Sequence, residues 1–92
     1  MVTVHANPRG DGWSCEVGVE AGGERTRHTV TVGRDDLERW GGGTGRQDVE
    51  DLVARSFEFL LEREPPSAIL PRFELSVVPR YFPEYDRLFG PR

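Results

Sequence analysis

Three runs near the start of the chain, "VTVHA" (2–6), "WSCEVGVE" (13–20) and "RTRHTVTV" (25–32), alternate apolar and polar residues with a period of two. Turn-forming "NPRGDG" and "AGGE" separate them, so the pattern predicts a three-stranded antiparallel β-meander. A two-residue turn at Gly22 and Gly23 would set Glu20 opposite Arg25, Val17 opposite His28, Cys15 opposite Val30 and Trp13 opposite Val32. In that register one face collects Val2, Val4, Ala6, Trp13, Cys15, Val17, Val19, Thr26, His28, Val30 and Val32. The opposite face collects Thr3, His5, Ser14, Glu16, Glu20, Arg25, Arg27, Thr29 and Thr31. A slip of one residue would mix the two sets, so the register is strongly specified and the dry face needs a cover. On the wet face Glu20 pairs with Arg25, and Glu16 lies diagonal to Arg27.

The cover is a helix expected over residues 48–64. Val49, Leu52, Val53, Phe57, Leu60 and Leu61 recur at helical spacing, Asp48 is the expected N-cap, and the prolines at 65 and 66 end the run. Ala54 and Phe59 widen the apolar arc beyond what one sheet face covers. The surplus must meet either the C-terminal segment or a second copy of the chain. The stretch "SAILPRFELSVVPRYFPEYDRLF" is apolar and aromatic but broken by Pro71, Pro79 and Pro83. Short helices are the favoured reading there, because a proline inside a paired strand loses a ladder bond; a fourth strand over 73–78 is the alternative. "RDDLERW" (34–40) reads as one or two helical turns leading into a glycine loop. The fold class expected is therefore α+β: a three-stranded antiparallel meander covered on one face by one long helix, followed by short C-terminal helices. A single domain, 1–92, divides into a meander (1–33), a short helix with the glycine loop (34–47), the main helix (48–64) and a proline-punctuated segment (65–92).

Charge narrows the function classes. Twelve basic residues, all arginine, stand against sixteen acids, for a net charge of -4. Neither half escapes this: residues 1–47 carry six arginines and seven acids, residues 48–92 six arginines and nine acids. A generic electrostatic grip on nucleic acid is disfavoured. The absence of lysine reads as coding bias of a GC-rich genome. Cys15 is the only cysteine, which removes an internal disulfide framework and any cysteine-based zinc site. With no apolar run of membrane-spanning length and no leader-like N-terminus, no membrane association is expected and the location expected is cytoplasmic.

Several motifs invite chemistry and fall short of it. "GGGTG" (41–45) lacks the Lys-Ser/Thr ending of a phosphate-binding loop and the spacing of a dinucleotide fingerprint. Asp48, Glu50 and Asp51 then crowd the expected start of the next helix and would repel a phosphate. Cys15 and His28 fall diagonally on neighbouring strands of the dry face, about 7 to 8 Å apart along the backbone, which strains direct hydrogen bonding; a reactive thiolate also needs access that this face denies it. His5 lies on the other face, so the two histidines cannot share a metal. "RGD" (9–11) is turn chemistry. No catalytic residue, cofactor or metal ligand is expected.

The C-terminal "RYFPEYDRLF" is different: Tyr81, Phe82, Tyr85 and Phe89 come within nine residues, with Arg80 and Arg87. Tyrosine and arginine concentrate in binding hot spots. Arg80, Tyr81, Phe82, Tyr85 and Phe89, with Phe59 of the helix, are thus the candidate partner-binding residues, packing within one chain being the competing explanation.

At "SFEFLLEREPPSAIL", followed by Phe73 and "YFPEY" at 81–85, the chain resembles a group of small bacterial proteins of unassigned function, over residues 48–86. That resemblance implies no catalytic residues. In arrangement alone, three strands followed by an amphipathic helix look like the small antitoxins of the HicB type, though the sequences share no motif. The function expected is that of a small non-enzymatic binding protein, a homo-oligomer with room for an unidentified protein partner. The alternative is an antitoxin-like or regulatory protein acting on a protein or nucleic-acid partner.

Overall fold

The computed structural model describes residues 1–90, so residues 91 and 92 of the expected C-terminal segment lie outside the described residues. Strands β1 (Val2–Arg9), β2 (Gly12–Ala21) and β3 (Glu24–Val32) form the meander. Its register agrees with the sequence reading at every pair: Glu20 faces Arg25, Val17 faces His28, Cys15 faces Val30 and Trp13 faces Val32. Gly22 and Gly23 both take positive φ, 58° and 82°, the left-handed pair that a two-residue hairpin of this twist requires. On the wet face Arg25 binds Glu20 at 2.7 Å, while Glu16 accepts from Thr29, directly opposite, at 3.2 Å, in place of the expected diagonal partner Arg27.

Two boundaries differ from expectation for physical reasons. β1 continues through Asn7, Pro8 and Arg9, expected as loop, and turns at Gly10, φ 61°. Proline is admitted because of strand parity. Met1 and Glu20 are hydrogen-bonded to one another through both backbone groups, so residues 3, 5 and 7 bond towards β2, whereas 2, 4, 6 and 8 point their backbone groups to the open edge. At Pro8 the missing N–H therefore costs no ladder bond.

The main helix, α2, runs Arg46–Leu61, starting two residues before the expected Asp48 and ending three before the expected Glu64. Gly45 is the N-cap, and Asp48, at the third helical position, accepts its N–H at 3.1 Å. The preceding helix α1, Arg34–Trp40, begins the same way, with Gly33 donating to Asp36 at 2.8 Å. Acidic residues thus act from the third position of each first turn, where a carboxylate meets both free amides and the helix dipole. At the other end Arg63 and Glu64 both donate to the Leu60 carbonyl, closing the helix before the prolines.

Beyond a 3₁₀ turn at Pro66–Ala68 the chain forms β4, Arg72–Glu74, which pairs parallel with β3 at Thr29 to Thr31. The sheet therefore has four strands in the order β1-β2-β3-β4. Residues 73–78 divide between the two readings: Phe73 and Glu74 lie in the strand, while Leu75–Val77 form a 3₁₀ turn that leads into α3, Val78–Tyr81. Pro79 sits in the first turn of α3, where no amide is needed. α4, Glu84–Phe89, follows. Ala6, Cys15, Val17, Val19, Val30 and Val32 of the sheet meet Val49, Leu52, Val53, Phe57 and Leu60 of α2 in one core. Among the described residues no helix is long and apolar enough to cross a membrane.

Candidate functional site

The surplus arc of α2 is covered by the chain's own C-terminal segment. Tyr85 is fully buried, stacked on Phe89 with centroids 4.3 Å apart and edge-on to Phe59 at 5.3 Å and Trp40 at 5.2 Å. Phe82 and Phe89 also meet Phe59 edge-on, at 6.0 and 5.9 Å. These offset and perpendicular arrangements are the favoured ones for aromatic quadrupoles.

Polar groups finish the docking. Ser56 donates to the Leu52 carbonyl at 2.7 Å, so its single proton is committed and Tyr85 must donate its own to Ser56, again at 2.7 Å. Burial pushes the Tyr85 hydroxyl above its ordinary range, against a smaller opposing effect of Ser56. Asp86 takes a two-pronged contact from Arg39, at 2.7 and 2.6 Å, and accepts the Trp40 indole N–H at 2.8 Å. These bonds, those of Arg39 first, hold its carboxyl down at about 2. Arg63 lies 3.6 Å over the Phe59 ring, donates to the Phe59 carbonyl at 2.9 Å and reaches Glu84 at 3.2 Å. α4 is thereby pinned to α1 through Asp86 and to the end of α2 through Glu84.

The six candidate contact residues therefore separate. Tyr85 and Phe59 belong to the core and offer no surface to a partner, because both are buried, edge-on to one another. Phe82 and Phe89 are half-buried against them, whereas Arg80 and Tyr81 are exposed. Among the described residues Tyr81, at 69 % exposure, joins Met1 (76 %), Leu88 (58 %) and Leu70 (49 %) as the large apolar side chains left in solvent. They rim two grooves on opposite flanks of α2. One, of about 240 Å³, is lined by Leu60, Ile69, Leu70, Phe73, Tyr81 and Phe82; the other includes Met1, Val2, Arg55, Glu58, Glu62 and Leu88.

Ser56, Asp86, Arg39 and Arg63 were not singled out by sequence. Only Ser56 left a signal there, as a hydroxyl in the middle of an apolar arc, which demands a buried partner.

The remaining candidates are structural. His28 is buried, with Nδ1 2.8 Å from the Leu70 carbonyl and Nε2 2.8 Å from the Thr26 hydroxyl. A carbonyl only accepts, so Nδ1 carries a proton, and in the neutral ring Thr26 donates to Nε2. The ring thus ties the approach to β4 onto β3. Cys15 is fully buried, and burial first, then the negative charges of Glu50 and Glu16, pushes its thiol up to about 12. In the glycine loop the Asp48 carboxylate already occupies the Gly45 amide.

The raised thiol and phenol carry a pH consequence. Both groups ionise more readily in the unfolded chain, so the stability they confer is intact below about pH 9 and is lost as pH rises through the range from about 9 towards about 12. Urea midpoints measured from pH 7 to 11 should be flat at first and then fall, and Cys15→Ala should soften the fall. A midpoint that holds to pH 11 would contradict the buried placement of both groups.

Comparison with protein-family models, with curated proteins and with solved structures finds no match to this chain.

Proposed function

We propose that the protein is a small non-enzymatic binding protein that acts as a self-associated unit. One observation carries this reading. After the chain's own C-terminal segment has closed the core, Met1, Leu70, Tyr81 and Leu88 remain exposed beside grooves on both flanks of α2, one apolar and one of mixed apolar and charged lining. Large apolar groups gathered around grooves mark association surfaces far more often than singly scattered ones do. A net charge of -4 favours a protein surface over nucleic acid as the contact.

The test is the mass of the purified chain by light scattering after size exclusion, at low and high salt. Self-association through apolar and backbone contacts gives at least twice the 10.4 kDa of one chain, with little change on adding salt. A mass of one chain at every concentration would overturn this reading and leave the exposed groups to a different protein, as in the antitoxin-like alternative.

A further inference from the structure

The open edge of β1 is blocked at one end and bare at the other. At Ala6 both outward backbone groups are occupied by α2: the N–H donates to Glu50 at 2.9 Å and the carbonyl accepts from Arg46 at 2.9 Å. Pro8, the next outward residue, has no N–H to offer. Blocking by side-chain caps and proline is how natural sheets protect an edge from pairing. Among the described residues Val2 and Val4 have no such cover: by the same parity both N–H groups and both carbonyls point away from β2. The other edge of the sheet differs, because β4 is only three residues long, and Arg25 and Arg27 flank it on β3.

We infer that Val2–Val4 of β1 is the self-association surface, pairing antiparallel with the same segment of a second copy, an inference that rests on the self-association proposed above. Three features select this occupant and register. Centring the pair on Thr3 sets Val2 opposite the second copy's Val4 and the reverse, so two N–H groups and two carbonyls on each chain all find partners in four hydrogen bonds. Centring it on Val4 would bring Ala6 into the ladder and displace Glu50. The Thr3-centred register stops short of the Ala6 block.

Charge on the overlying helix agrees with that axis. Glu50 stands at Ala6, and the α2 residues Glu58 and Glu62 share a groove with Met1 and Val2, so α2 runs opposite to β1 along the edge. Thr3 lies three residues from Ala6, about 10 Å along the strand, a distance that α2 covers in about six or seven residues. Arg46 and Glu50 both reach Ala6, so the two-fold axis passes near residues 55–57 and gathers the Arg55 and Glu58 side chains of both copies, of opposite charge, around it. Met1 and Leu88 rim the same groove and lose solvent in the pair. The product is one continuous eight-stranded sheet with both α2 helices on one face.

Amide hydrogen exchange read residue by residue, at concentrations above and below dissociation, tests this on the unmodified chain. Val2 and Val4 amides should be protected in the associated form and lose that protection on dilution, while Thr3 and His5 amides, bonded to β2, stay protected throughout. Val4→Pro removes one outward donor per chain and no intrachain ladder bond, and should raise the dimer Kd roughly tenfold to hundredfold with an unchanged far-ultraviolet spectrum. An associated protein whose Val2 and Val4 amides exchange freely overturns this surface and leaves self-association standing. A chain that remains monomeric at all concentrations overturns both.

Discussion

Tyr85→Ala is expected to cost about 3 to 5 kcal/mol of folding stability, the range for removing a large buried aromatic ring. Three losses combine. The ring is the common neighbour of Trp40, Phe59 and Phe89, so its removal leaves a cavity among groups too rigid to collapse into it. Ser56, whose proton is committed to Leu52, loses the side-chain donor that reaches its oxygen. α4 loses its anchor, and the Arg39 and Trp40 contacts to Asp86 go with it. Small domains have only about 5 to 15 kcal/mol in total, so urea unfolding should show a midpoint shifted far down or no transition at all. Tyr85→Phe isolates the hydroxyl: the packing survives, and about 0.5 to 1.5 kcal/mol is expected for the bond alone. A Tyr85→Ala chain of near wild-type stability would mean that the C-terminal segment is not docked.

Phe57→Ala is expected to be as severe, about 3 to 5 kcal/mol, by a different route. Phe57 is fully buried and links three elements: it projects from α2, meets His28 of β3 at 5.3 Å and Phe73 of β4 at 6.0 Å. Its loss undercuts the parallel pairing of β4, which rests on few residues. Amide exchange should therefore show the β3–β4 bonds opening before those of the meander. Equal loss of protection in all four strands would contradict this hierarchy.

The contrast between these residues explains what could be read from the sequence. The β2–β3 hairpin was legible to the single pair and β1 in its two faces, because a period-two pattern and a Gly-Gly turn leave one register that keeps both faces consistent. The helix was legible in kind and in its buried face, but not in its ends. Its N-terminus is set by glycine at the cap and an aspartate reaching back from the third position, and a cap assignment that favours side-chain acceptors picks the aspartate itself. β4 was half legible: Phe73 alternates with Leu75 and Val77 as a strand would, yet only three residues pair, because the pairing is made by a loop that His28 fixes through Leu70. That link spans 42 positions and has no local signature.

The aromatic segment was legible as a cluster and illegible in its division. Composition alone gives Tyr81 and Tyr85 equal standing, but the turn at Phe82 and Pro83 sends one outward and the other into the core. Ser56 in the apolar arc was the clue to the inward one. The capped and uncapped halves of the β1 edge could not be read at all, since Arg46 and Glu50 resemble any exposed helical ion pair until the helix is laid along the strand.

The aromatic cluster closes each chain, and we propose that association uses another surface. Isotope-filtered nuclear Overhauser measurements on a mixture of labelled and unlabelled chains separate contacts within a chain from contacts between chains. Tyr85–Phe59 and Tyr85–Trp40 contacts should appear only within a chain, and contacts between Val2 and Val4 should appear between chains. Tyr85–Phe59 contacts between chains would mean that the C-terminal segment closes its neighbour's core instead of its own, and would contradict the claim.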